Sequence, residues 1–487
     1  MSNSNSRSKL FIENFIIYGF GSALGLLIPF IMLPILTRIY PNAEYIGLYD
    51  SVNVLVFFAS YVGILGIADI MFRYFFEEEG DRYRKKVTST ALFTLIPSGL
   101  IVAIIVAILR KPLANLILGD PGYSNLVLIA SVTIYFTVIN AVIAAPTRMR
   151  NQRGRYLTVN ICSSLASYSI VLPLLFIGWY ETAMPIALMC SMILTVTSFM
   201  IMNRHDFSLS AVDREMCVKL LKLSLPSMPS YLFYWVISSA QLIFITNIRG
   251  IEETGIYSVG SKMASVSQLI NTAFGVGWSF FVFSTMKDKD HTEMISKVFD
   301  YLSGISFFLV CVVVMLSQSV FVLLFEAEYA EGKWVMPVLF LAPLIMMLYQ
   351  SITSQYTVIK KTYVGPCCLA AGACICVLLD ILLIPVIGLR GAAVANLSGF
   401  TVALCLMAFL LRRRKLIILR GRILCCALAA YISLAVFVMK AHALVYYTVS
   451  GAGALFVLLL YYKEGFMLLK GIMDTFRKKL EGGFKWR

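Results

Sequence analysis

Four ionisable residues, Asp50, Asp69, Lys262 and Asp380, lie inside long apolar stretches. A charge at the centre of a bilayer costs about 2.5–3.5 kcal/mol on insertion scales, so it faces protein or water and marks a place where chemistry can happen. Lys262 sits about ten residues into its stretch, which puts it near mid-membrane and makes it the first candidate to contact an anionic headgroup. Asp50 is its candidate partner, and a purely structural ion pair is the competing explanation. Asp69 and Arg73 are spaced i, i+4 and share a helical face, which suits a local pair that locks a helix end. Asp380, near the end of its stretch, is expected to be a polar cap at the interface.

Other patterns exclude chemistry. Gly255 to Lys262 reads G-x-x-x-x-G-S-K, which lacks the G-K-S/T order of a phosphate-binding loop and occupies an apolar helix instead of a strand-to-helix turn, so nucleotide binding is excluded. Asp288 and Asp290 form a D-x-D, but they stand among Lys287, Lys289 and His291 as a solvated charge run. The eleven cysteines lie in or beside apolar segments without metal-type spacing, and His205, His291 and His442 are scattered, so neither a metal nor a cofactor is expected.

The elements that must position these residues are membrane helices. Only 14% of the 487 residues are charged and 59% are hydrophobic, whereas soluble domains carry about a quarter charged residues. With about 20 apolar residues per crossing, the chain divides into fourteen expected spans, near 11–37, 44–72, 85–109, 123–147, 156–178, 182–202, 219–247, 252–285, 294–318, 334–358, 364–386, 389–411, 423–440 and 443–462. The first stretch is too long for a secretory h-region and is expected to be retained. Most of the 41 lysines and arginines fall in alternate connections, including Arg82 to Lys86, Arg148 to Arg155 and Arg412 to Lys415. That bias predicts both termini in the cytoplasm, and it explains the net charge of +15 without nucleic acid.

Gly47-Leu48-Tyr49 opens the second span and Gly255-Ile256-Tyr257 opens the eighth, an offset of six spans. An even offset preserves direction, so the halves are expected to be parallel repeats with the polar path at their interface. Asp50 then corresponds to Ser258, one turn from Lys262. The expected units are an N-terminal six-helix lobe (1–205), a C-terminal six-helix lobe (206–415) and a helix pair with a basic tail (416–487). Pro29 and Pro34 in span one, and Pro226 and Pro229 in span seven, are candidate hinges. Gly21 and Gly25 are packing positions.

Pro34 to Tyr40 leading into Glu44 to Tyr49, Leu65-Gly66-Ile67 with Arg73-Tyr74, Leu225 to Ser230, Gly255 to Ser258 and Leu383 to Ala393 resemble, in the same order, the polysaccharide flippases that export O-antigen and exopolysaccharide repeat units. The resemblance covers roughly residues 10–411. It implies an all-α integral membrane fold in the superfamily of multidrug extruders and the peptidoglycan lipid flippase: two six-helix lobes around a central cavity that opens alternately to either side. Gln241 departs from the acid that related sequences often carry there.

The leading expectation is therefore a flippase, not an enzyme, that moves undecaprenyl-diphosphate-linked oligosaccharide across the bacterial or archaeal cytoplasmic membrane as a monomer. Lys262, Arg73, Arg38, Asp50 and Gln268 are the candidate substrate contacts, and Asn53, Gln241, Asn271, Gln350 and Gln355 can line the cavity. Sodium, protons or the membrane potential would supply energy. Membrane lipids, glycosyltransferases and a polysaccharide polymerase are the expected partners. An ion-coupled drug or metabolite exporter is the alternative transporter. A membrane glycosyltransferase or polymerase is disfavoured by the short expected outer loops, and a scaffold by the embedded polar groups.

Overall fold

The computed structural model describes residues 28–462 apart from 79, 151, 286–289, 360 and 362. Among the described residues the chain is helical throughout, with no strand. Gly21 and Gly25 lie outside them, as does Asp288. Eleven described helices are long and apolar enough to cross a membrane, or twelve if one bent pair is a single span, so the expected count of fourteen is approximate.

The N-terminal half comprises α1 (Ile28–Ile39), α2 (Glu44–Ile64), α3 (Ile67–Phe75), α4 (Asp81–Ile108), α5 (Arg110–Leu118), α6 (Ser124–Ile143), α7 (Ala145–Met149), α8 (Arg153–Phe176) and α9 (Ala183–Asn203). The expected second span is broken, because Leu65 and Gly66 both take positive φ and end α2 before α3 begins. Gly66 sits against the Ser224 carbonyl, where an added Cβ would come within 3.0 Å. α1 runs unbroken through Pro34. One apolar core joins α2 through α9 and continues to Met216 and Leu220.

Those last two residues lie on α10 (Arg214–Ser224), which packs on α3 and α4. The connection before it is bonded down along its length. Three successive buried hydroxyls of α4 hold it: Thr88 donates to the Asp206 carbonyl at 2.8 Å, Ser89 accepts from Ser208 N–H at 2.9 Å, and Thr90 accepts from Asp213 N–H at 3.1 Å. Asp206 also meets Arg150. Asp213 caps α10 by accepting from Met216 N–H at 2.7 Å and pairs with Lys86 at 3.0 Å, and these two donors hold its carboxyl below the usual range.

The C-terminal half comprises α11 (Met228–Ser239), α12 (Gln241–Arg249), α13 (Ile251–Ala264), α14 (Val266–Thr285), α15 (His291–Leu324), α16 (Met336–Val358), α17 (Val364–Ile387) and α18 (Leu389–Arg413), followed by α19 (Gly421–Val438) and α20 (Ala443–Leu460). The 40° bend of the seventh expected span falls at Ala240, between α11 and α12. Pro226 and Pro229, expected to break it, instead form the 3-10 turn Leu225–Ser227 and the first turn of α11, where the missing N–H is tolerated. α16 is the central helix, with 83% of its apolar window buried, against 22% for α20 at the periphery.

α19 and α20 pack on α15. Their anchor was not foreseen. Asp300 of α15, fully buried, is held by Arg420 at 3.0 Å, by Arg422 and by the Tyr461 hydroxyl at 2.7 Å. The signal was an acid inside the ninth stretch and two arginines just before the thirteenth.

Candidate substrate site between the halves

The two Gly-x-Tyr repeats meet each other. Where α2 and α13 cross, a Cβ on Gly47 would lie 2.2 Å from the Ile251 carbonyl oxygen, and one on Gly255 would lie 1.9 Å from that of Ala43. The contact is reciprocal, each glycine meeting the carbonyl four residues before the other. Only residues without a side chain let the backbones approach so closely. Glu328, in the 3-10 segment Ala327–Trp334, reaches across to accept from Ala43 N–H at 2.6 Å and so caps α2. Tyr40, Tyr45 and Tyr180 cluster beside it, with centroids 5.5–6.3 Å apart.

One turn further along lies the charge pair. Lys262 Nζ is 2.5 Å from Asp50 Oδ2 and stands 5.2 Å from the centroid of the Tyr49 ring. Its side chain is 33% exposed and that of Asp50 14%, so the pair is largely buried while part of the lysine stays accessible. The chain folds this way because α13 ends at Ala264, with Lys262 in its last turn. Ser265 closes that end, donating its hydroxyl to the Lys262 carbonyl at 2.6 Å, and the lysine charge complements the helix C-terminus. A cavity of about 160 Å³ adjoins this break, lined by Ser238, Gln241, Ser261, Ser265, Gln268 and Asn396 together with apolar groups. The structure thus brings Lys262 and Asp50 together, while Gln268 lines the neighbouring cavity, which neither of the two charged residues lines.

Arg38 and Arg73 lie elsewhere. Arg38 is exposed near the end of α1, and Arg73 is exposed on α3, beyond the break that follows α2. The expected Asp69–Arg73 pair is absent from the ion pairs of the described residues, because Asp69 accepts instead from the Tyr231 hydroxyl of α11. Of the other expected cavity residues, Gln241 lines the cavity, while Gln355 and Asn271 are buried.

Asp380 is not an interfacial cap. It is fully buried in the C-terminal half, with the Cys376 thiol 3.7 Å from Oδ2 and no partner for Oδ1. Gln241 Oε1 and Asn396 Oδ1 are likewise buried without partners. Asn396 Nδ2 donates to the Ile237 carbonyl at 2.6 Å, and Cys376 approaches the same oxygen. Buried polar oxygens without partners are uncommon, and they supply acceptors for a proton or a small cation.

Comparison with known proteins bears on the family and the fold. Residues 11–287 match the model of the family described as polysaccharide biosynthesis protein. No curated protein matches. The fold is that of the lipid II flippase MurJ in an inward closed conformation, with 16% identity and a TM-score of 0.70 over 93% of this chain and 99% of that one. A multidrug resistance MATE family transporter of the MOP superfamily, in its inward-facing conformation, aligns at 13% identity and a TM-score of 0.61, over 82% of this chain and 94% of that one. A Vibrio cholerae MATE transporter aligns at 12% identity and a TM-score of 0.58, over 85% and 99%. With its family model covering more than half its length, this multi-pass membrane chain belongs to the polysaccharide biosynthesis protein family.

Proposed function

We propose that the protein is a flippase that carries undecaprenyl-diphosphate-linked oligosaccharide from the inner to the outer leaflet of the cytoplasmic membrane for surface polysaccharide synthesis. The observation that carries this reading is the placement of the Lys262–Asp50 pair at the seam between the two repeat halves, directly beneath the Gly47–Gly255 backbone contact. A diphosphate needs a cation in a dry setting, and Lys262 offers one that Asp50 can release. The sugars need hydroxyl and amide groups, which Ser261, Ser265, Gln268 and Gln241 supply. The lipid tail needs no protein at all and can stay in the bilayer.

In this reading the Gly47–Gly255 crossing is a seal on the outer side, so the structure is closed outward. Alternation then means separating α2 from α13 there while the halves close on the inner side. Lys262 and Asp50 are the substrate-exchange pair, and Gln268 contacts the headgroup or the first sugar. Arg38 and Arg73 serve at the two mouths. Asp380 with Gln241 and Asn396 is the place where a proton or sodium ion could couple to the motion.

The test is reconstitution. Purified protein in proteoliposomes is expected to expose a lipid-linked sugar on the far leaflet without ATP, and Lys262→Ala at equal protein level is expected to lower the rate at least tenfold. A strict requirement for ATP, or unchanged transport by Lys262→Ala, overturns the assignment.

A further inference from the structure

On the side of the seam away from the glycine seal, α2 and α11 present facing rows of aromatic rings. Val54, Phe58 and Tyr61 recur on one face of α2, and Tyr231 and Trp235 on one face of α11. Phe58 and Trp235 lie 4.7 Å apart between centroids, and Tyr61 and Tyr231 stack at 5.9 Å with 20° between their planes. Trp235 is fixed in orientation by donating its indole N–H to the Val54 carbonyl at 3.1 Å. The Tyr231 hydroxyl donates to Asp69, whose side chain is exposed. Phe58 is 37% exposed. Arg73 stands one turn beyond Asp69 on the same helical face.

Aromatic faces, an exposed carboxylate and a phenol form a recognisable chemical combination. The negative face of a ring attracts the polarised C–H groups of one sugar face, while carboxylate, phenol and guanidinium exchange hydrogen bonds with hydroxyls on the ring edge. The carboxylate, phenol and guanidinium do not suit a lipid tail, and packing between the halves alone would not need an acid at the exposed edge. An aromatic cage with a carboxylate also attracts organic cations, but the Arg73 charge one turn away opposes a second cation here.

We propose that Tyr61, Tyr231, Phe58 and Asp69, with Arg73 at the edge, form a carbohydrate-binding station separate from the Lys262 charge site. The station rests on the flippase reading and extends it to the sugar. Along α2, Asp50 and Tyr61 are about 16 Å apart at 1.5 Å per residue. That separation lets a diphosphate at Lys262 and the distal part of a short oligosaccharide at Tyr61 bind together, so the two sites read different parts of one molecule. Headgroup affinity then resides in Lys262 and sugar-length preference in the aromatic rows.

The experiment measures dissociation constants of nanodisc-embedded protein for undecaprenyl diphosphate, bare and carrying one or three hexose-type residues. The trisaccharide lipid is expected to bind the unmodified protein at least tenfold tighter than the bare lipid. Tyr61→Ala and Tyr231→Ala should bring that ratio to within threefold with the bare-lipid value unchanged, and Tyr61→Phe, which keeps the ring, should restore it. Lys262→Ala should weaken all three lipids alike. Equal binding of bare and glycosylated lipid, or a sugar gain untouched by the tyrosine substitutions, overturns the station and leaves the flippase reading standing. Binding of tetraphenylphosphonium that is lost in Asp69→Asn and competes with the trisaccharide lipid assigns the rings to an organic cation and also overturns it. Failure of every undecaprenyl-diphosphate lipid to bind overturns station and flippase together.

Discussion

Lys262 and Asp50 pair within hydrogen-bonding distance, yet a third of the lysine side chain is exposed, so the pair can be entered by a competing anion. If diphosphate displaces Asp50, the two residues should respond oppositely to neutralisation. Lys262→Met is expected to weaken binding of undecaprenyl diphosphate at least tenfold. Asp50→Asn, which frees the ammonium while keeping the side-chain shape, is expected to tighten binding about tenfold, a change of about 1.4 kcal/mol. Weaker binding in both variants would make the pair a structural fixture. Sequence showed these two residues because charge inside an apolar stretch is costly, and the repeat put them within a turn of one another. It did not show that Asp69 would turn to Tyr231 or that Asp380 would be fully buried, because helix spacing fixes neighbours along one helix and not the rotation of that helix against another. Asp300 was legible in principle as an acid in an apolar stretch, but its partners come from segments more than a hundred residues away.

Helix breaks, more than helix positions, distinguish the elements. Apolar length located the helices well, and α4, α16, α17 and α18 follow the expected spans closely. The breaks were misplaced, since proline was expected to make them and Leu65–Gly66, Ala240 and Ser265 make them instead. Positive φ at Leu65 has no local sequence signature, and the Ser265 break relies on a hydroxyl that bonds its own helix end. The Gly-x-Tyr repeat was visible as a pattern, but its meaning emerged only when α2 and α13 were found to cross at those glycines. Gly47→Val is accordingly expected to disfavour the closed crossing by about 1–3 kcal/mol through overpacking, which shifts the population roughly 5- to 150-fold. A Ser258→Cys probe in a cysteine-free background, buried in the sealed form, should then label faster with an impermeant maleimide applied from the outer side. Unchanged labelling would show that the crossing does not open.

Across the whole molecule, charge decides how transport meets the membrane potential. If the proposed cycle holds, the empty carrier with Lys262 against Asp50 moves no net charge at the site on its return, whereas a diphosphate lipid would carry about two negative charges outward with an assistance of about 2.3 kcal/mol per charge per 100 mV. Flipping in proteoliposomes is therefore expected to speed up when the donor side is negative and to slow when the sign is reversed. A rate that follows a sodium or proton gradient and ignores the potential would shift the drive to the Asp380 region. The orientation behind this sign comes from the concentration of lysines and arginines in alternate connections. One further constraint comes from the connection between the halves. Residues 206–213 are bonded to α4, and α10 packs on the N-terminal half, so the free tether shrinks to the three-residue turn Leu225–Ser227. Fully extended, three residues reach only about 10 Å. A leash that short lets one half tilt against the other but forbids it from sliding across the thickness of the membrane, so a transport cycle on this fold would be that of a rocker and not of an elevator.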